Sequence, residues 1–148
     1  MADVLFYHLE ARPLEDVIPV LLEKTLERGW RAVVEVGSAE RAQALDAHLW
    51  SYRDDSFLAH GLAGGEADAL QPILITTGSE NPNGAACRFF IDRAVPHTSA
   101  GYERIVFMFS GHDPDAVAEA RDAWRTLRVD NAVTYWQQES SGRWVKKA

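Results

Sequence analysis

Two rhythms of apolar and polar positions alternate along the chain. Val4-Leu5-Phe6-Tyr7-His8-Leu9 is rich in β-formers and stops before Pro13, which predicts a first strand. From Leu14 to Arg28, the apolar Val17, Ile18, Leu21, Leu22 and Leu26 recur at helical spacing, and Gly29 supplies the stop. Pro19 lies near the start of that helix, where a missing N–H does least harm. A second β-rich run, Arg31 to Val36, precedes Ser38, which caps an amphipathic helix from Ala39 to Trp50 with Ala42, Leu45 and Leu49 on one face.

The tract Gly61 to Gln71 is glycine-rich and lacks periodicity, so it reads as a loop between Ser56-Phe57-Leu58 and a strand from Pro72 to Thr76. A turn-forming cluster, Gly78 to Gly84, leads into a strand from Ala86 to Ile91. The strand Arg104 to Phe109, the helix Pro114 to Leu127 and a last strand or hairpin, Ala132 to Val145 turning at Ser141-Gly142, complete the chain. Strands that alternate with helices indicate an α/β fold: a largely parallel or mixed central sheet flanked by helices in Rossmann-like layers. The 148 residues fit one domain, 1–148, with neither a repeat nor a low-complexity segment.

Composition narrows the function. With 47% hydrophobic and 25% charged residues the chain has the balance of a folded protein. The formal charge of −7 is uneven: residues 101–148 hold seven basic and seven acidic side chains, so the remaining eight basic and fifteen acidic residues carry the whole excess. An acidic chain repels phosphate at long range, which points to a protein or small-molecule partner before nucleic acid. Apolar runs stay short of the roughly 18 to 20 residues of a membrane span, and no basic leader opens the chain. The lone Cys87 fits a reducing cytoplasm.

The familiar constellations of catalysis are missing. The sequence has no phosphate loop with a terminal Lys-Ser/Thr, no dinucleotide-binding glycine pattern after the first strand, no H-E-x-x-H and no G-x-S-x-G, so it implies no cofactor. Gly61-Leu62-Ala63-Gly64-Gly65 is the nearest approach to a phosphate cradle and the basis of one alternative, a small nucleotide- or phosphate-binding enzyme. Its following acids, Glu66 and Asp68, weigh against an anion there. Ser56 and His60, near Asp54 and Asp55, would lie about 13 Å apart in an extended segment, too far for a nucleophile and its base. The five histidines are scattered without paired spacing, which leaves no zinc pattern, and Cys87 reads as a small buried hydrophobe in an apolar strand.

One helix face is less ordinary. Arg121, Trp124, Arg125 and Arg128 fall at i, i+3, i+4 and i+7, so three guanidinium groups and an indole share a face beside the apolar stripe Val117, Ala120, Trp124 and Leu127. Arginine forks take carboxylates and an aromatic wall takes an apolar anchor, so the face suits an acidic peptide. Two plainer readings stand beside it: a solvated face paired locally with Glu119 and Asp122, and direct stacking of single-stranded DNA. The five tryptophans, at 30, 50, 124, 136 and 144, fit core and interface equally.

Phe6-Tyr7-x-Leu9, Leu45-Asp46-x-x-Leu49-Trp50, Ser56-Phe57-x-x-His60, Ala120-Arg121-x-x-Trp124-Arg125 and Tyr135-Trp136 occur in an order and spacing that resemble the chi subunit of bacterial DNA polymerase III. Ala59 departs from the proline that usually precedes the histidine, and the tail Gln137 to Ala148 extends past the shortest members. The resemblance implies a non-catalytic accessory subunit that binds the acidic C-terminal tail of single-stranded DNA-binding protein and bridges it to the clamp loader through the psi subunit. It assigns Arg121, Trp124, Arg125 and Arg128 to the tail, with Trp50 as a second aromatic wall of the same pocket. Phe57 and His60 fall to the second-partner surface.

Overall fold

The computed structural model describes residues 2–52, 58–97 and 99–148. Its elements are β1 (Asp3–Leu9), α1 (Leu14–Glu27), β2 (Ala32–Val36), α2 (Ala39–Ser51), β3 (His60–Leu62), β4 (Ile73–Thr76), β5 (Cys87–Ile91), β6 (Arg104–Ser110), α3 (Pro114–Leu127), β7 (Ala132–Gln138) and β8 (Trp144–Lys146). The strands form one sheet in the order β3-β4-β2-β5-β6-β1-β7-β8, parallel throughout except for the final β7–β8 hairpin. The α/β class expected from the strand–helix alternation is the class observed.

Cover on each side, as a parallel sheet requires, explains why the central strands are largely apolar, with Glu35, Thr76 and Arg88 the polar members of β2, β4 and β5. In β2, β4 and β5 every residue is buried. One layer joins α1 and α2 to Val34, Ile75, Phe89, Val106 and Met108. The other sets α3 on Phe6, Phe90, Ile105, Phe107 and Phe109. Alternate residues of each strand therefore feed opposite cores, the period-2 consequence of the pleat. Burial of Cys87 within the first core pushes its thiol pKa up to about 12.

Arg88 interrupts the apolar run of β5, yet its side chain is fully buried. Its Nη2 donates to Glu35 Oε1 at 2.5 Å and to the Gly78 carbonyl at 2.7 Å, and Nη1 donates to the Glu80 carbonyl and the Tyr102 hydroxyl. His97 Nε2 meets the same Glu35 oxygen at 2.8 Å. The pair thus ties the loops after β4 and β5 to the sheet where α3 does not cover it.

One expectation is corrected and one open alternative is settled. The stretch Gly61 to Gln71 is not all loop: His60–Leu62 forms the edge strand β3, parallel to β4, and Asp68–Leu70 makes a single 3-10 turn. Three residues are too few for an alternation to show in sequence. At the other end, Ala132 to Val145 resolves as a hairpin, with Gly142 in the left-handed region (φ 89°) at its turn.

Candidate functional surfaces

The sequence fixes α3 firmly at its start. Pro114 occupies the first turn, and the Asp113 carboxylate accepts from the backbone N–H groups of Asp115 (3.0 Å) and Ala116 (3.3 Å). The inward residues Ala116, Ala120 and Ala123 are small, which lets the helix approach the phenylalanines of β1 and β6 closely. Trp124 straddles the border: it is half-buried and meets Phe6 edge-on at 5.5 Å and Tyr135 at 5.8 Å.

Arg121, Arg125 and Arg128 stand exposed beyond it. The local pairing expected for this row holds only for Arg125, 3.3 Å from Asp122. Glu119 is taken by Arg93, which also holds Asp113. Among the described residues, Arg121 and Arg128 have no carboxylate partner. Burial pushes the Tyr135 hydroxyl pKa up, and the positive charge of Arg121 offsets part of that shift. A free guanidinium, a half-buried indole and a phenol therefore converge where α3 meets β7. Nothing local in the sequence places Tyr135 beside Arg121, because their proximity depends on the α3–β7 crossover.

Trp50 does not belong to this group. It ends α2 at the β3 edge, 55% exposed, with its ring 4.5 Å from that of His60. The α2 helix covers the face of the sheet opposite to α3, and β3 lies five strands from β1, roughly 24 Å across the sheet. The single pocket walled by Trp50 and Trp124 is therefore ruled out by topology. His60 is buried, with Nδ1 2.6 Å from the Leu58 carbonyl and Nε2 3.2 Å from the Asp46 carbonyl, so it backs Trp50 and is not itself an accessible contact. Phe57 and Ser56 lie outside the described residues.

The glycine loop is already filled from within. Gly64 and Gly65 donate their backbone N–H groups to the two oxygens of Asp68, at 2.9 and 3.0 Å, and Ala63 donates to the Ile75 carbonyl. A side-chain carboxylate sits where the alternative reading would put phosphate. A crevice of about 530 Å³ opens where the chain leaves β1 and β6 for helices on opposite faces, the place where open α/β sheets hold ligands. Its acids are internally matched: Glu10 to His8, Asp92 to Arg41, and both Asp113 and Glu119 to Arg93. Among the described residues no cluster of three His, Cys, Asp or Glu could hold a metal, and no helix is long and apolar enough to cross a membrane.

Fold and surface together define a small α/β protein whose distinctive chemistry is exposed arginine and aromatic side chains. Residues 1–133 match the family described as "DNA polymerase III chi subunit, HolC". A protein from Rickettsia prowazekii named "Probable DNA polymerase III subunit chi" is 30% identical over 80 residues, 54% of this chain and 48% of that protein. The match thus spans about half the length of that relative. A second, "DNA polymerase III subunit chi" of Pseudomonas aeruginosa, is 26% identical over 108 residues, 73% of this chain and 74% of the other. The chain belongs to the chi subunit family of DNA polymerase III, an accessory component in DNA replication that is not an enzyme by itself.

Proposed function

We propose that the outer face of α3 binds the acidic C-terminal tail of single-stranded DNA-binding protein, and that the chain links that protein to the clamp loader through psi. The observation that carries this reading is Arg121: exposed, without a carboxylate partner, and set beside Trp124 and Tyr135. A terminal carboxylate completes the guanidinium, and an apolar end residue packs against the indole. Arg125 and Arg128 extend the positive field along the helix. The Trp50 edge, supported by His60 and followed by Phe57, is the surface we assign to psi. Its distance from α3 leaves both partners room to bind at once.

Titration with a labelled acidic peptide ending in an apolar residue tests the tail site. Saturable binding that weakens on C-terminal amidation and in Arg121→Ala supports it. Loss of a carboxylate partner in a desolvated pair costs about 2 to 5 kcal/mol, while an exposed arginine contributes under about 1 kcal/mol. Arg121→Ala is therefore expected to lose much more affinity than Arg128→Ala, and equal losses would contradict the pocket.

A further inference from the structure

The β7–β8 hairpin builds a second surface, on the face of the sheet away from α3. Between it and α1 runs a groove of about 550 Å³, floored by Tyr7, Val17, Leu21, Trp136 and Trp144. Tyr7 and Trp144 meet edge to face at 5.0 Å, and Val20 on the α1 side is 43% exposed. Arg12, Lys24 and Arg143 rim the groove, opposed by the single acid Asp16. Lys146, paired with Trp136 across the hairpin, points to the same face.

Charge makes this surface stand out in a chain of formal charge −7. Most other described cations are engaged: Arg41, Arg88, Arg93, Arg104 and Arg125 with carboxylates, Arg28 over the Trp30 ring. Arg12, Lys24, Arg143 and Lys146 have no carboxylate partner among the described residues. Among the described residues, cations without a carboxylate partner are therefore concentrated on the outer face of α3 and around this groove. Trp144 lies beyond residue 133, where the family match ends.

We propose that the groove between α1 and the β7–β8 hairpin is a docking site for an extended acidic peptide segment of a partner protein, with a bulky apolar side chain inserted against Trp136 and Trp144. Carboxylates flanking that anchor meet Arg12, Lys24, Arg143 and Lys146, the four cations around an apolar floor. The ladder to β7 uses the Arg143 carbonyl and the Lys147 N–H, so the backbone groups of Trp144 and Lys146 point outward from the last strand. They offer main-chain hydrogen bonds to a peptide lying alongside. The acidic remainder of the chain repels a phosphate backbone, which favours a peptide over a nucleic acid. The site is independent of the α3 reading, because it needs no free terminal carboxylate.

The test uses the full chain and a short peptide of Asp and Glu around two central Phe residues, amidated at its C-terminus, with oligo(dT) of similar length in parallel. Peptide binding at low salt that shifts the indole N–H resonances of Trp136 and Trp144, and falls roughly tenfold or more in Lys24→Glu/Arg143→Glu with unchanged far-UV circular dichroism, is the expected result. Both substituted side chains are exposed, so the fold does not depend on them. No binding, or shifts confined to Trp124, would overturn the proposal. So would oligo(dT) binding that the charge reversal abolishes, since it assigns the groove to nucleic acid.

Discussion

Arg88 Nη2 lies 2.5 Å from Glu35 Oε1, and the two side chains join neighbouring strands in the interior of the sheet. Around them, carbonyls of Gly78 and Glu80 and the Tyr102 hydroxyl accept from the two terminal guanidinium nitrogens, while the buried Nε–H is left without a partner among the described residues. Removing one member leaves a buried charge without its partner, which costs about 3 to 5 kcal/mol. Arg88→Ala is expected to lower the urea midpoint by that order. Arg41→Ala, whose pairing with Glu15 is half-exposed, should cost under about 1 kcal/mol. Comparable losses in the two variants would show that the buried network does not hold the loops.

Cys87 sets a second expectation, in alkaline solution. Burial raises its thiol pKa from 9.0 to about 12, so the folded chain keeps the proton that the unfolded chain gives up. The stabilising contribution is whole below pH 9 and declines as pH rises toward 12. The slope is roughly 1.4 kcal/mol per pH unit for this one group. Cys87→Ala should flatten denaturation midpoints measured across that range, and native Cys87 should react slowly with thiol reagents at pH 8. An alkaline slope unchanged in Cys87→Ala would refute the assignment.

These two residues show what was legible in the chain. Cys87 reads as a buried hydrophobe because its neighbours on β5 are apolar, and the structure puts it in the core. Arg88, its neighbour, needed the pairing of β2 with β5, because Glu35 is 53 residues away and nothing local announces it. The same division runs through the functional surfaces. The arginine row of α3 is a helical spacing and was visible at once. The separation of Trp50 from Trp124 is a matter of strand order and of which face each helix covers, and resemblance along the sequence carries neither. Likewise Asp68 fills the Gly64–Gly65 cradle by a turn whose geometry only the folded loop supplies.

The start of α3 gives a compact check on the helix that presents the arginines. Asp113 accepts two backbone N–H groups there, and replacing such a cap with alanine costs about 1 kcal/mol. Asp113→Ala also releases Arg93 from one of its two carboxylates, though that pair is largely exposed and adds little. A thermal shift of a few degrees is expected, with tail-peptide affinity nearly unchanged, because Arg121 lies two turns further along. A large loss of affinity in Asp113→Ala would mean that the tail reaches the helix N-terminus.

Independence of the two proposed partner surfaces is the sharpest consequence of the sheet order. Trp50 and Arg121 lie on opposite faces, far beyond the distance at which substitutions usually couple. Trp50→Ala should therefore leave the affinity for the acidic tail within about twofold of the parent chain while weakening the complex with psi. Arg121→Ala should do the reverse, and the double variant should show the sum of the two losses in free energy. Calorimetric titration of all four proteins against the tail peptide and against psi measures each term. A loss of tail binding in Trp50→Ala would require a rearrangement that brings the β3 edge to α3, which a sheet held by parallel ladders from β3 to β7 does not permit.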